Sequence, residues 1–428
     1  MVCARRRKVE DAAAGDLKGF RSMTVRARTL PSLCALAVFA AMAALYLFGA
    51  RDLYSAILWR WGFTVWSFPF LDFQNSLAAW ECTRMGLDVT VSNPCDALGR
   101  VHNYGPIWMA FSFVPLGTGD LWWTGLLIGA AFLGSFAFLP AVNRWQEVVV
   151  MTGATLSTAV VFTVERANVD ALLFMLALAV GHLVARAPAA AYSLITIGAM
   201  YKYYPIMMLA LVVRERRSFA IVGTAIAALG VYAAIYADQL GRAFKAIPDG
   251  FYFTGFFSAQ NLPMGSQLLW GVPAELVFAV LLSAFLIAVM ATIRSRASDQ
   301  RALPEQHQTF LIIGSLLMVG CFFIGQSVFY RTIMFLFALP GLLVMARHST
   351  LIRFVIGAIL LLMWEGFFRH IWHMWSVDAG NRVIDAPPPL WMARELLSWF
   401  VISALFAILA EFAANSPAFT LLPRPKTP

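Results

Sequence analysis

Lys202 stands in the stretch YKYYP, residues 201–205, between apolar runs at 189–200 and 206–213. A charged side chain at the centre of a bilayer costs about 2.5 to 3.5 kcal/mol on insertion scales, so a lysine in such a run marks a functional site unless it snorkels to an interface. The chemistry it offers is that of an anion ligand. Arg331, closing GQSVFYR before another apolar run, is a second cation of this kind, and a guanidinium can grip a phosphate through two parallel hydrogen bonds. Asp72 lies in the aromatic stretch WSFPFLDFQN, where an unpartnered carboxylate is disfavoured; it either caps a helix or serves as a general base on a hydroxyl. ERANVD adds Glu165, Arg166, Asn168 and Asp170, the last placed to complement the dipole of a following helix. His370 and His373, in EGFFRHIWHMW, share a helical face, but with no cysteine and no well-placed carboxylate beside them no metal is expected, and no other cofactor. Asp96, beside Asn93, Pro94 and Gly99, reads as turn chemistry, and Asp88 is an alternative to Asp72 as the base.

The elements that must position these residues are membrane helices. The 428 residues are 60% hydrophobic and only 13% charged, with a mean hydropathy of +0.72, which excludes an ordinary soluble domain and defines an all-α polytopic membrane protein. Apolar segments suited to crossing roughly 30 Å of hydrocarbon fall at 30–49, 121–142, 148–164, 171–184, 219–236, 273–293, 310–324, 332–345, 354–368 and 396–412, about 10 transmembrane helices. The piece 106–116 is too short to span and reads as a half-helix. The chain divides into a basic arm (1–29, with Arg5, Arg6, Arg7, Lys8, Lys18, Arg21, Arg26 and Arg28), a transmembrane domain (30–412) with a large outer loop at 50–105, and a tail (413–428). The formal charge of +9 does not point to nucleic acid, because the basic residues sit in the arm and between apolar segments. Alternating crossings from a cytoplasmic N-terminus put Arg144, Arg186, 294–301, 347–353 and the tail inside, as the positive-inside rule requires. Trp59, Trp61 and Trp66 read as interfacial anchors. Cys82 and Cys95 share the outer loop, and whether they pair depends on the side it faces.

The segment around Lys202 breaks this alternation, since Arg186 precedes it and Arg214, Arg216 and Arg217 follow it. A single crossing would put one cluster outside. Two cytoplasmic ends require a re-entrant helical hairpin with Lys202 at its tip, where Pro205 breaks the helix, and irregular backbone at that depth is tolerated only when buried in protein or lining a polar cavity. Asp72, ERANVD, Arg331 and His370 then share the outer face with Lys202.

The order of an outer-loop aspartate, ERANVD between two spans, and an apolar run broken at YKYYP and followed by RERR resembles glycosyltransferase family 87, the membrane glycosyltransferases that use polyprenol-phosphate sugars. NPCDALGRVHNYGPIW and FYRTIMFLFALPGLL are also similar to segments of bacterial members. The likeness covers roughly residues 30 to 370, and Ala167 departs from the glycine common at that turn. It implies the GT-C architecture, a multi-pass protein of the bacterial plasma membrane, and a hexosyltransferase that moves mannose or a related hexose from a polyprenyl-phosphate carrier to an outer-leaflet glycolipid or glycan. Under that resemblance Asp72 is the catalytic base. Lys202 and Arg331 meet the lipid phosphate, Tyr203 and Tyr204 meet the sugar or the isoprenoid chain, and Glu165, Arg166, Asn168, Asp170 and His370 complete the substrate site. A competing reading is a transporter or flippase for a lipid-linked or anionic solute, because broken helices with charged residues near the midplane also mark transporters. The absence of an internal repeat and the long acidic outer loop argue against it.

Overall fold

The computed structural model describes residues 29–416 except 64, 67, 216, 217, 247–251, 254 and 379–387. The basic arm up to residue 28, Arg216, Arg217, the tail beyond 416 and the side chain of His373 lie outside the described residues. Helix α1 (Thr29–Leu47) leads to α2 (Arg51–Arg60) and α3 (Leu71–Arg84). A loop containing a short 3-10 turn at Pro106–Phe111, the half-helix of the sequence, leads to α4 (Leu121–Ser135), α5 (Trp145–Thr155), α6 (Thr158–Arg166) and α7 (Val169–Leu183). Then follow α8 (Pro188–Tyr201), a 3-10 helix (Tyr204–Arg214), α9 (Ser218–Ile235), α10 (Ala237–Lys245), α11 (Asn261–Trp270) and α12 (Ala274–Arg294). The chain closes with α13 (Glu305–Ile324), α14 (Phe335–Met345), α15 (Thr350–Met363), α16 (Glu365–Asp378) and α17 (Pro388–Ala414). Among the described residues the extended structure is one antiparallel pair, β1 (Phe256–Phe257) with β2 (Ser327–Val328).

Every apolar segment of the sequence falls on helix. By length and apolarity five helices are able to cross a membrane, and up to eight if each bent pair is one span. The pairs bend by 42° between α5 and α6, 83° between α9 and α10, and 63° between α15 and α16. The chain is thus an all-α membrane protein. Its centre is α13, which is buried along most of its length and packs on α14; a Cβ at Gly314 would stand 2.7 Å from the Ala338 nitrogen. Small residues at such crossings matter because lipid is as apolar as the helices, leaving close packing to hold them together. Phe174 and Phe337 stack at 4.2 Å and tie α7 to the same core. Trp61 is tied into the bundle: its indole donates to the Leu156 carbonyl at 3.0 Å and its ring stacks on Trp364.

The bundle has two chemically different ends. At one, Arg214 bonds Glu305 and Thr309, Arg347 pairs with Glu147, and Gln300 reaches the Ile408 carbonyl. These contacts gather the starts of α5 and α13, the ends of α14 and α17, and the end of the 3-10 helix. At the other end lie α3, the start of α7, and Lys202. The disulfide Cys82–Cys95 closes the loop after α3.

α8 and the 3-10 helix form the hairpin that the arginines demanded. α9 packs along α8, with Ala189, Thr196, Ala220 and Thr224 lining a space between them and the Tyr232 hydroxyl donating to the Met200 carbonyl at 3.1 Å. The 3-10 helix returns to the end from which α8 started. Its 11 residues rise about 22 Å at roughly 2.0 Å each, and the 14 of α8 about 21 Å at 1.5 Å each. The tighter winding lets fewer residues match the longer arm, and neither arm reaches across roughly 30 Å of hydrocarbon. Lys202, extended at φ −153°, ends α8 at the tip. In a chain lacking Cys3, Cys34 and Cys321, with Cys82 and Cys95 held in their disulfide, single cysteines at positions 186 and 215 are expected to react with an impermeant thiol reagent from the same face of sealed vesicles. Labelling from opposite faces would eliminate the hairpin.

Candidate functional site

The turn ERANVD builds the inner half of the site. Arg166 ends α6, Ala167 takes the left-handed conformation at φ 43°, and Asn168 caps α7 by accepting the Asp170 N–H at 2.9 Å. This puts Asp170 in the first turn of α7, fully buried. One carboxylate oxygen accepts Lys202 Nζ at 2.7 Å and the Tyr204 hydroxyl at 3.0 Å; the other stands 3.4 Å from Arg331 Nε. Arg331 also donates to Ser327 Oγ at 2.5 Å and to the Tyr203 hydroxyl at 3.1 Å. The Lys202 ammonium is surrounded by Tyr104, Tyr204 and Tyr330, with ring centroids 5.3, 5.9 and 5.9 Å away, an aromatic setting that favours a cation. Asp170 therefore joins α7, the hairpin tip and the segment before α14 at one point.

The outer half comes from α3 and its loop. Asp72 lies in the first turn of α3 but caps nothing there; its Oδ2 accepts Asn168 Nδ2 at 2.6 Å, and Oδ1 stands 3.6 Å from Arg100 Nη1. Arg100 is fixed by Asp96 (Nε 3.2 Å, Nη2 3.0 Å) and by the Leu71 carbonyl at 2.7 Å. Burial pushes the Asp96 carboxyl up, but hydrogen bonds from Arg100, Asn75 and the Leu98 N–H outweigh it and hold it below the usual carboxylate range. The Arg100 anchor is then complete above the ordinary aspartate value of about 3.9 and is lost only in stronger acid. Burial pushes His102 in the same loop down to about 4, so it adds no charge at neutral pH. Gly105 crosses the hairpin tip with its N–H on the Tyr201 carbonyl; a Cβ there would lie 1.9 Å from the Met200 oxygen.

Between the halves is a cavity of about 470 Å³ whose wall includes Asp72, Asn75, Arg100, Lys202, Tyr203 and Arg331. α10 covers part of it with Leu240, Ala243 and Phe244, and is tied to the outer loop by Arg242 on Asp88 at 2.8 Å. Asp88 is thereby engaged away from the cavity wall.

Of the residues singled out in the sequence, Asp72, Lys202, Tyr203 and Arg331 line this cavity, and Asn168, Asp170 and Tyr204 stand directly behind them. Tyr204 is fully buried, so its part is to bond Asp170 rather than to meet a ligand. Glu165 and Arg166 are not brought to the cavity. They pair with each other at 3.1 Å, Glu165 borders an apolar space between α1 and α6, and Arg166 packs over Phe162 and Trp66. The left-handed turn at Ala167 separates their direction from that of Asp170. His370 is also elsewhere, on α16 edge-on to Trp59, because the 63° bend after α15 carries it to α2. Sequence reading missed Arg100, Asn75 and the ring of Tyr104 and Tyr330. Arg100 was visible in NPCDALGR, where its spacing of four from Asp96 was the available signal.

Among the described residues no group of histidine, cysteine or acidic side chains could hold a metal ion. Comparison of the chain with protein-family models, with curated proteins and with solved structures gives no match. Fold and site define an all-α membrane protein with a charged cavity built around the tip of a helical hairpin.

Removing one partner of a buried ion pair is expensive because the other charge is left uncompensated, typically by about 3–5 kcal/mol. Asp170→Asn strands two cations and is expected to lower stability by at least that amount in detergent melting curves, and Asp170→Asn with Lys202→Met to recover part of it. An Asp170→Asn protein that melts like wild type would show that Asp170 does not hold the site together.

Proposed function

We propose that the chain is a membrane glycosyltransferase of the polyprenyl-phosphate-dependent kind, transferring mannose or a related hexose to an outer-leaflet glycolipid or glycan. The observation that carries this reading is the convergence of Asp72, Lys202, Tyr203 and Arg331 on one cavity at the hairpin tip. In the reaction the acceptor hydroxyl attacks the anomeric carbon and passes its proton to the Asp72 carboxylate. The bond from that carbon to the phosphate oxygen breaks, and its electron pair leaves with the lipid phosphate. Lys202 and Arg331 share the single charge of Asp170, which leaves one positive charge over. A phosphodiester donor carries one negative charge and its phosphate product more, so that surplus favours the leaving group increasingly as the bond breaks. Tyr203 is placed against the sugar. The arginine-rich end of the bundle, opposite the cavity, faces the cytoplasm under the positive-inside rule, putting the cavity at the outer face of the plasma membrane.

The test is transfer from a radiolabelled polyprenyl-phosphate sugar by purified protein in liposomes containing membrane acceptors. Asp72→Asn is expected to reduce turnover by about 10²- to 10⁴-fold with donor binding kept, the usual share of a general base. Lys202→Met should weaken donor binding by about 10- to 100-fold, the worth of a charged hydrogen bond, with acceptor binding little changed. Lys202→Arg should restore part of it, keeping the charge with altered reach. Donor affinity unchanged in Lys202→Met would remove the phosphate from this site. Donor movement across the vesicle membrane without transfer would favour the transporter reading instead.

A further inference from the structure

We infer that Asn168 is a positioning residue for the base, holding one carboxylate oxygen of Asp72 so that the other faces the cavity; this rests on the reading of Asp72 given above. Asn168 is fully buried and does not line the cavity, so it has no direct access to a substrate. Its orientation is fixed by chemistry. The Asp170 backbone N–H is a donor only, so the side-chain atom 2.9 Å from it must be the amide oxygen, and the amide nitrogen is then the atom facing Asp72. That nitrogen donates to Asp72 Oδ2 at 2.6 Å. Oδ1, whose nearest charged neighbour is Arg100 Nη1 at 3.6 Å, is the oxygen left to receive a proton.

The arrangement couples two things that a sequence reader would separate. The same amide caps α7, which carries Asp170 and through it Lys202 and Arg331, and orients the carboxylate on α3. The Phe70 N–H on the Glu165 carbonyl at 2.6 Å docks the start of α3 onto the same turn. A shift of the α6–α7 turn therefore moves base and cations together, keeping the spacing between the attacking hydroxyl and the leaving phosphate matched to the protein.

Serine and aspartate are both good helix caps, so Asn168→Ser and Asn168→Asp keep the bond to the Asp170 N–H while changing what faces Asp72. Asn168→Ser withdraws the amide donor and leaves a shorter hydroxyl that stops short of Asp72, and kcat is expected to fall by about 10²-fold, the cost of a misplaced reacting group, with the donor KM within about twofold of wild type. Asn168→Asp sets two carboxylates against each other; they share a proton, the basicity of the pair rises, and the acidic limb of the kcat profile moves up by about one pH unit or more. A residue that only caps the helix predicts melting temperatures and pH limbs like wild type in both variants, and that result would overturn the assignment. So would a fall in melting temperature with the limb unmoved. Asp72→Asn run alongside separates the two levels. If it disables transfer while both Asn168 variants keep wild-type kcat and limb, only the positioning role falls; if Asp72→Asn is fully active, the base and its positioning residue fall together.

Discussion

One carboxylate, that of Asp170, sets the geometry of everything around the cavity. It is fully buried, and it satisfies a lysine from the hairpin tip, a tyrosine from the 3-10 arm and an arginine from the segment entering α14. None of these three elements is held at this point by its apolar surface alone, because in a bilayer the lipid competes equally well for that surface. A buried charge has no such competitor: separated from Asp170, each of the two cations would lose its counter-charge. The first turn of α7 adds the positive end of its helix dipole to the same side. Two cations and a helix N-terminus face one carboxylate, so the inner half of the site remains short of negative charge.

The outer half solves a different problem, which is to hold an accessible carboxylate still. Asp72 is about one-fifth exposed, unlike Asp170, and its neighbours belong to a loop that has little core of its own. The loop compensates with covalent and polar ties: the Cys82–Cys95 disulfide, Asp96 on Arg100, and Asn75 on both Asp96 and the Arg100 carbonyl. α9 and α10 close the remaining side. Tyr232 links the Met200 carbonyl to the Ile107 N–H, and Arg242 links α10 to Asp88 and Thr90. The cavity is thus walled by a rigid buried cluster on one side and a stapled loop on the other.

What could be read in the sequence divides along the same line. Helices were legible because apolar runs of that length have few alternatives, and the hairpin was legible because arginines on both flanks of YKYYP allowed no single crossing. Lys202, Arg331 and Asp72 stood out because charge in an apolar or aromatic context is disfavoured. Their partner was harder to see. Asp170 looked like a helix-dipole residue, and only the fold shows that α7 begins where the hairpin ends. The same test also picked out Glu165, Arg166 and His370, which the fold places away from the cavity: Glu165 and Arg166 pair with each other, and His370 stands edge-on to Trp59. Arg100 escaped notice because, in a polar loop, a charge carries no such signal. The count of crossings was also beyond sequence reading, since a break such as Leu156–Ser157 between α5 and α6 does not interrupt the apolar run.

The turn at Ala167 shows how little freedom the site leaves to its scaffold. A left-handed conformation costs an L-residue roughly 1 to 2 kcal/mol, which favours glycine there. Against this, the Ala167 methyl is buried in the apolar cluster that also holds Phe70 and Trp80, a gain of about 0.8 kcal/mol by the usual value for one buried carbon. Glycine would also lose about 0.5 to 1 kcal/mol more backbone entropy on folding. The opposing terms nearly cancel, so alanine is tolerated without altering the turn. Its conformation is dictated instead by the residues on either side: Arg166 must finish α6 against Phe162, and Asn168 must reach both Asp72 and the Asp170 N–H. With both ends fixed, the residue between them takes the one backbone conformation that joins them, and alanine, having fewer alternatives to visit than glycine, holds the join more stiffly.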